Sequence, residues 1–120
     1  MKNVARSVIL VMALLLISLA AYATSSLWFE GGGYWLDMEI GHTDRPVIAS
    51  VNFHAPGDSQ GVVLRDNFKV ASFDTGRKDL IIEYTGSDPR VQPFTLTVHG
   101  EKAILRIGHT RIESGFDWSM

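Results

Sequence analysis

Cysteine is absent from the 120 residues. That absence excludes disulfide bonds, a thiolate nucleophile and the lipidated cysteine that anchors a bacterial lipoprotein. The three asparagines outside any other motif, Asn3, Asn52 and Asn67, all fail the N-x-S/T pattern of a glycosylation acceptor. Proline numbers only four, and two of these fall in one segment, Thr85–Pro93. Beyond residue 23 there is no ten-residue stretch with a helical stripe, no charge block, no repeat and no low-complexity tract. No G-x-S-x-G elbow is present, and no serine has a histidine at a suggestive spacing. Gly31-Gly32-Gly33 precedes a strand and is followed by no nearby base, so it lacks the setting of a phosphate loop. The chain is therefore read as non-catalytic, with no cofactor.

The amino terminus has a different character from the rest. Lys2 and Arg6 precede an apolar run, Val8–Ile17, and Ala21-Tyr22-Ala23 places small residues at the −3 and −1 positions of a cleavage site. This pattern predicts a cleaved secretory signal peptide over 1–23, leaving one β-domain over 24–120 and no membrane anchor. The apolar span is short for a bilayer crossing, which takes about 20 residues. Together with the missing cysteine and sequon, it points to a periplasmic or secreted bacterial protein. Without Lys2 and Arg6, nine of the 11 basic residues remain against 13 acids. A domain of that balance offers no electrostatic footprint for nucleic acid or for anionic lipid.

The remaining chain alternates apolar and polar residues with the period of strands. Tyr34, Leu36, Met38 and Ile40 alternate with Trp35, Asp37 and Glu39. Val47, Ala49, Val51 and Phe53 alternate with Ile48, Ser50 and Asn52. Similar patterns cover Leu80–Tyr84, Phe94–Val98 and Ala103–Ile107, with weaker ones at Val62–Arg65, Phe68–Asp74 and Thr110–Glu113. Glycine-bearing turns separate them at Asp74–Lys78, His99-Gly100 and Gly108-His109, and Asp66-Asn67 reads as a tight turn joining the third and fourth strands. The expectation is an all-β antiparallel meander of about eight strands that closes into a barrel, with an immunoglobulin-like sandwich as the alternative.

Candidate binding residues follow from this pattern. Trp35, Asp37 and Glu39 share the polar face of one strand, where an aromatic and two acids would grip a sugar or a basic partner loop. Asp88 and Arg90 lie at the tip of the two-proline loop, and loops on rigid scaffolds often carry recognition. Arg111 is a candidate ion-pair partner for the acids. Weak metal candidates are His42, His109 and Asp44, because the two histidines sit in Gly-His-Thr turns that a closed meander would bring together.

Gly33-Tyr34-Trp35 resembles the G-x-W that opens the first strand of lipocalins and related calycins. The resemblance implies a barrel by analogy, with Trp35 packed inward at the closed end against an arginine, for which Arg111 would stand. Alternation instead places Trp35 on the side of Asp37 and Glu39. Three functions are compatible with these readings. One is an inhibitor or immunity-type module that engages another envelope protein through loops or a strand face. A second is a carrier of a small apolar ligand, walled by residues such as Leu36, Phe53, Tyr84 and Phe94. The third is an assembly protein pairing through a sheet edge, for which Ile48, Ile81 and Ile104 would form a patch.

Overall fold

Alternation at a period of two is realised along the chain as nine strands in two antiparallel sheets. The computed structural model describes residues 25–86 and 88–119; the expected signal segment, 1–23, lies outside them. The first sheet is β1 (Ser25–Gly31), β2 (Tyr34–His42), β3 (Pro46–His54) and β4 (Val62–Leu64), paired in chain order. The second is β5 (Lys69–Asp74), β6 (Asp79–Tyr84), β7 (Phe94–His99), β8 (Lys102–Ile107) and β9 (Thr110–Gly115), again in chain order. There is no helix among the described residues. Each sheet is thus a meander, and each strand's apolar set faces the other sheet.

The interior is continuous across the two sheets. Leu27 and Phe29 of β1, Leu36, Met38 and Ile40 of β2, and Val51 of β3 are fully buried, as are Leu80, Ile82 and Tyr84 of β6 and Leu96, Val98 and Leu105 beyond it. Each such side chain contributes roughly 1.5–3 kcal/mol by leaving water. Phe94 of β7 stacks on Phe53 of β3, with ring centroids 5.2 Å apart, and meets Tyr84 at 5.6 Å. These are the residues expected to wall a ligand cavity, and they pack against one another.

Four features differ from expectation. First, β1 is a strand that alternation did not identify. Gly32 and Gly33 are the two central residues of its hairpin to β2, with φ of +58° and +84°. Only glycine accepts both values without steric cost, so the triple glycine supplies a two-residue hairpin turn. Second, Arg65–Phe68 does not turn back to pair its flanking strands. It carries the chain from the first sheet to the second, and Phe68 packs on the core as it crosses. Third, the β2–β3 register shifts by one residue, so that Glu39 opposes Ser50 but Ile40 opposes Ile48. Ala49 is the extra residue, and a one-residue bulge reverses the faces before it. Ile48 therefore packs on the core and Ala49 is exposed, the reverse of the simple alternation. Fourth, in the β5–β6 turn the positive φ falls on Lys78, at +58°, rather than on Gly76. Asp74 holds that turn by accepting the N–H groups of Gly76 and Arg77.

The sheets also meet along one flank. Ser114 Oγ of β9 donates to the Glu30 carbonyl of β1 at 2.7 Å, and Ile112 lies against Gly31 and Gly32. β1 and β9 contact there, but no ladder joins them among the described residues.

Candidate functional site

The outer face of the first sheet follows directly from the hairpin register. Trp28 opposes Asp37, and Glu30 opposes Trp35. Directly opposed side chains on antiparallel strands stand about 5 Å apart, and same-strand neighbours on one face about 7 Å apart. The four residues form a square with the two indoles on one diagonal and the two carboxylates on the other. The stretch W-F-E-G-G-G-Y-W-L-D folds onto itself to make it. Leu27, Phe29 and Leu36 point the other way into the core and hold the square's backbone in place.

Trp28 and Trp35 are 45% and 48% exposed, and Val63 of β4 is 50% exposed. These are the large apolar side chains most open to solvent among the described residues, and all three lie on this one face. Trp35 also leans on His54 of β3, with ring centroids 5.6 Å apart, while His54 Nδ1 is held 3.0 Å from the Asp58 carbonyl.

The polar groups of the face are rich in acceptors. Ser50, almost fully buried, donates to Glu39 Oε2 at 3.1 Å. Asp37 and Asn52 oppose one another, and each has a buried Oδ1 without a hydrogen-bond partner. A shallow groove of about 400 Å³ runs over Asp37, Glu39, Ser50 and Asn52 to Val63 and Arg65. Past Trp28, a larger groove of about 740 Å³ holds Glu30, Glu101 and Asp117 against a single lysine, Lys78, with Trp118 as the far wall.

The other sequence candidates lie elsewhere. Asp88 and Arg90 are engaged with each other: Arg90 Nε and Nη2 donate to the two Asp88 carboxylate oxygens at 3.0 and 2.7 Å. This bidentate guanidinium holds the Asp88 carboxyl at about 2, below the usual carboxylate range. Asp88 also shapes the loop, its N–H donating to the buried Tyr84 hydroxyl. Arg111 lies on β9, where it pairs with Glu113 at 2.9 Å and lowers that carboxyl's pKa.

Trp35 is thus outward and Arg111 is on the other sheet, which overturns the inward tryptophan–arginine pairing implied by the calycin resemblance. His42 ends β2 opposite Pro46, at the far end of that strand from Gly32-Gly33. His109 precedes β9, which meets β1 at the Gly31-Gly32 end. The strand between those ends spans on the order of 25 Å, so the two histidine turns do not converge. Asp44 stays with His42 in the β2–β3 turn, where its Oδ1 accepts from Thr43 Oγ1. Among the described residues no three His, Asp or Glu side chains are grouped to hold a metal ion.

Comparison with known proteins finds no matching family, no matching curated protein and no matching solved structure.

Proposed function

We propose that this chain is a non-catalytic binding protein of the bacterial envelope that holds another protein on the outer face of its first sheet. The observation that carries the reading is the gathering of Trp28, Trp35 and Val63 on one face of the four-stranded sheet. Tryptophan is the residue most often found at the energetic centre of protein interfaces, where it supplies area at little entropic cost. The acids around it provide the polar rim such an interface needs. Export through a cleaved signal remains part of the proposal and rests on the amino-terminal pattern alone. For the architecture, the reading takes the two sheets as a sandwich open along one flank; β1 and β9 touch through side chains at Ile112 and Ser114 without a shared ladder.

The test is affinity capture from envelope extract with three proteins: the wild type, a Trp28→Ala/Trp35→Ala variant, and an Ile81→Ala/Ile104→Ala control on the second sheet. A partner retained by the wild type and the control, and lost by the tryptophan variant, is the expected result. Retention by all three would mean that the first sheet's face is not the docking surface.

A further inference from the structure

The geometry points to an arginine-bearing segment of the partner protein as the occupant of the Trp28, Glu30, Trp35 and Asp37 square. This rests on reading the face as a docking surface and adds the chemistry of what docks.

Three observations select a cation. The square alternates rings and carboxylates, so a planar guanidinium laid over either indole has a carboxylate beside it. Tryptophan is the best cation–π acceptor, and Arg stacks on it while keeping its N–H groups free for a carboxylate. Next, among the described residues neither Glu30 nor Asp37 enters an ion pair, although Arg65 lines the groove beside Asp37 and Lys78 the groove beside Glu30. On the second sheet, by contrast, Glu113 is matched internally by Arg111 and Lys102. Lastly, the groove beside the square is lined by the acceptors of Asp37 and Glu39, and a donor-only group complements acceptors whereas another acceptor does not. A neutral sugar presents acceptors and donors in similar number and leaves the carboxylate charge unanswered, which ranks it below an arginine side chain.

The probe is a capped tri-arginine peptide, titrated against the full β-domain with the indole N–H resonances as readout; capped tri-lysine, tri-glutamine and a neutral oligosaccharide serve as comparisons. Tri-arginine is expected to shift the Trp28 and Trp35 signals saturably and leave Trp118, whose indole N–H is bonded to the Gly100 carbonyl. Tri-lysine is expected to bind more weakly, and tri-glutamine not at all. A Glu30→Gln/Asp37→Asn variant is expected to weaken tri-arginine by about ten-fold or more, and so is raised salt. If that double variant does not fold, Glu30→Gln alone, at the exposed end of β1, and the wild type's salt response carry the test.

The proposal is overturned if tri-arginine gives no saturable shift, if the charge-neutralised variant binds it equally, or if the oligosaccharide alone moves the two indoles. In the capture experiment the two readings separate. A partner lost on removing the tryptophans but kept on neutralising Glu30 and Asp37 leaves the docking face standing and removes the arginine. A partner kept by both variants removes the face itself.

Discussion

The outer face of the first sheet carries Trp28, Trp35 and Val63 at about half exposure, among the acids Glu30, Asp37 and Glu39. The outer face of the second carries Ile81, Thr95, Thr97 and Ile104, all partly covered, with ion pairs nearby. Lys102 and Arg111 both reach Glu113 there, and His99 meets Asp79 at 2.8 Å. Both sheets grow from the same kind of alternating sequence and share one core. The second has the composition of a strand surface that needs only water. The first leaves apolar area open to solvent, the area that the proposed docking would cover.

The strongest way to break this contrast is through the core the two faces share. Phe94 of the second sheet stacks on Phe53 of the first. Phe94→Ala is expected to cost about 3–5 kcal/mol in chemical denaturation. If the sheets form one cooperative unit, the indole signals of Trp28 and Trp35 on the first sheet and of Trp118 at the edge of the second are lost in one transition. Two separated transitions would mean that the faces belong to independently stable halves.

A smaller effect sharpens the contrast at the turns. Gly61, beside the first sheet's face, has φ of +77°, and a Cβ there would stand 2.7 Å from His54 Nε2 and closer still to Asn52 Oδ1. Gly100, in the second sheet, has φ of +60° and open space around it. Gly61→Ala is expected to cost about 2–4 kcal/mol, strain plus collision, and Gly100→Ala about 1–2 kcal/mol from strain alone. Equal losses in thermal melting would show that Asn52 and His54 move aside freely and that this face is not rigid.

How far the sequence discloses these features depends on the range of the interaction. Strands β2, β6, β7 and β8 are legible because one buried face writes a period of two into the residues themselves. The outward side of Trp35 is legible for the same reason, and alternation is the better guide there than the G-x-W resemblance. The partition into two sheets is not legible, because nothing local in Arg65–Phe68 states whether the chain turns back or crosses over. Ala49 hides a bulge, since an extra residue leaves composition unchanged while reversing parity. Trp28 was missable for a related reason: its place beside Asp37 exists only once Gly32-Gly33 is taken as a two-residue turn. That glycine pair was the available signal, with Leu27 and Phe29 alternating against Trp28 and Glu30.

The smallest effect compares two loop carboxylates that are both held below their ordinary pKa by different causes. Asp58, after β3, is lowered chiefly by the backbone N–H groups of Gly61 and Gln60; Asp88, after β6, is lowered to about 2 chiefly by the Arg90 guanidinium. A carboxyl depressed on folding contributes stability that is fully present above its unfolded value, about 3.9, and is lost as pH falls through the folded one. Asp88→Asn is therefore expected to lower the denaturation midpoint slightly at pH 7, with wild type and variant converging as pH approaches 2. Salt separates the causes. Added salt at pH 7 screens the Asp88–Arg90 attraction and narrows the gap for Asp88→Asn. The Asp58 turn, held by uncharged donors, keeps most of its gap for Asp58→Asn. An equal salt response at the two positions would mean that Asp58 is held mainly by charge, from Arg90 across the loop end, and that the loops of the two sheets are coupled where their outer faces are not.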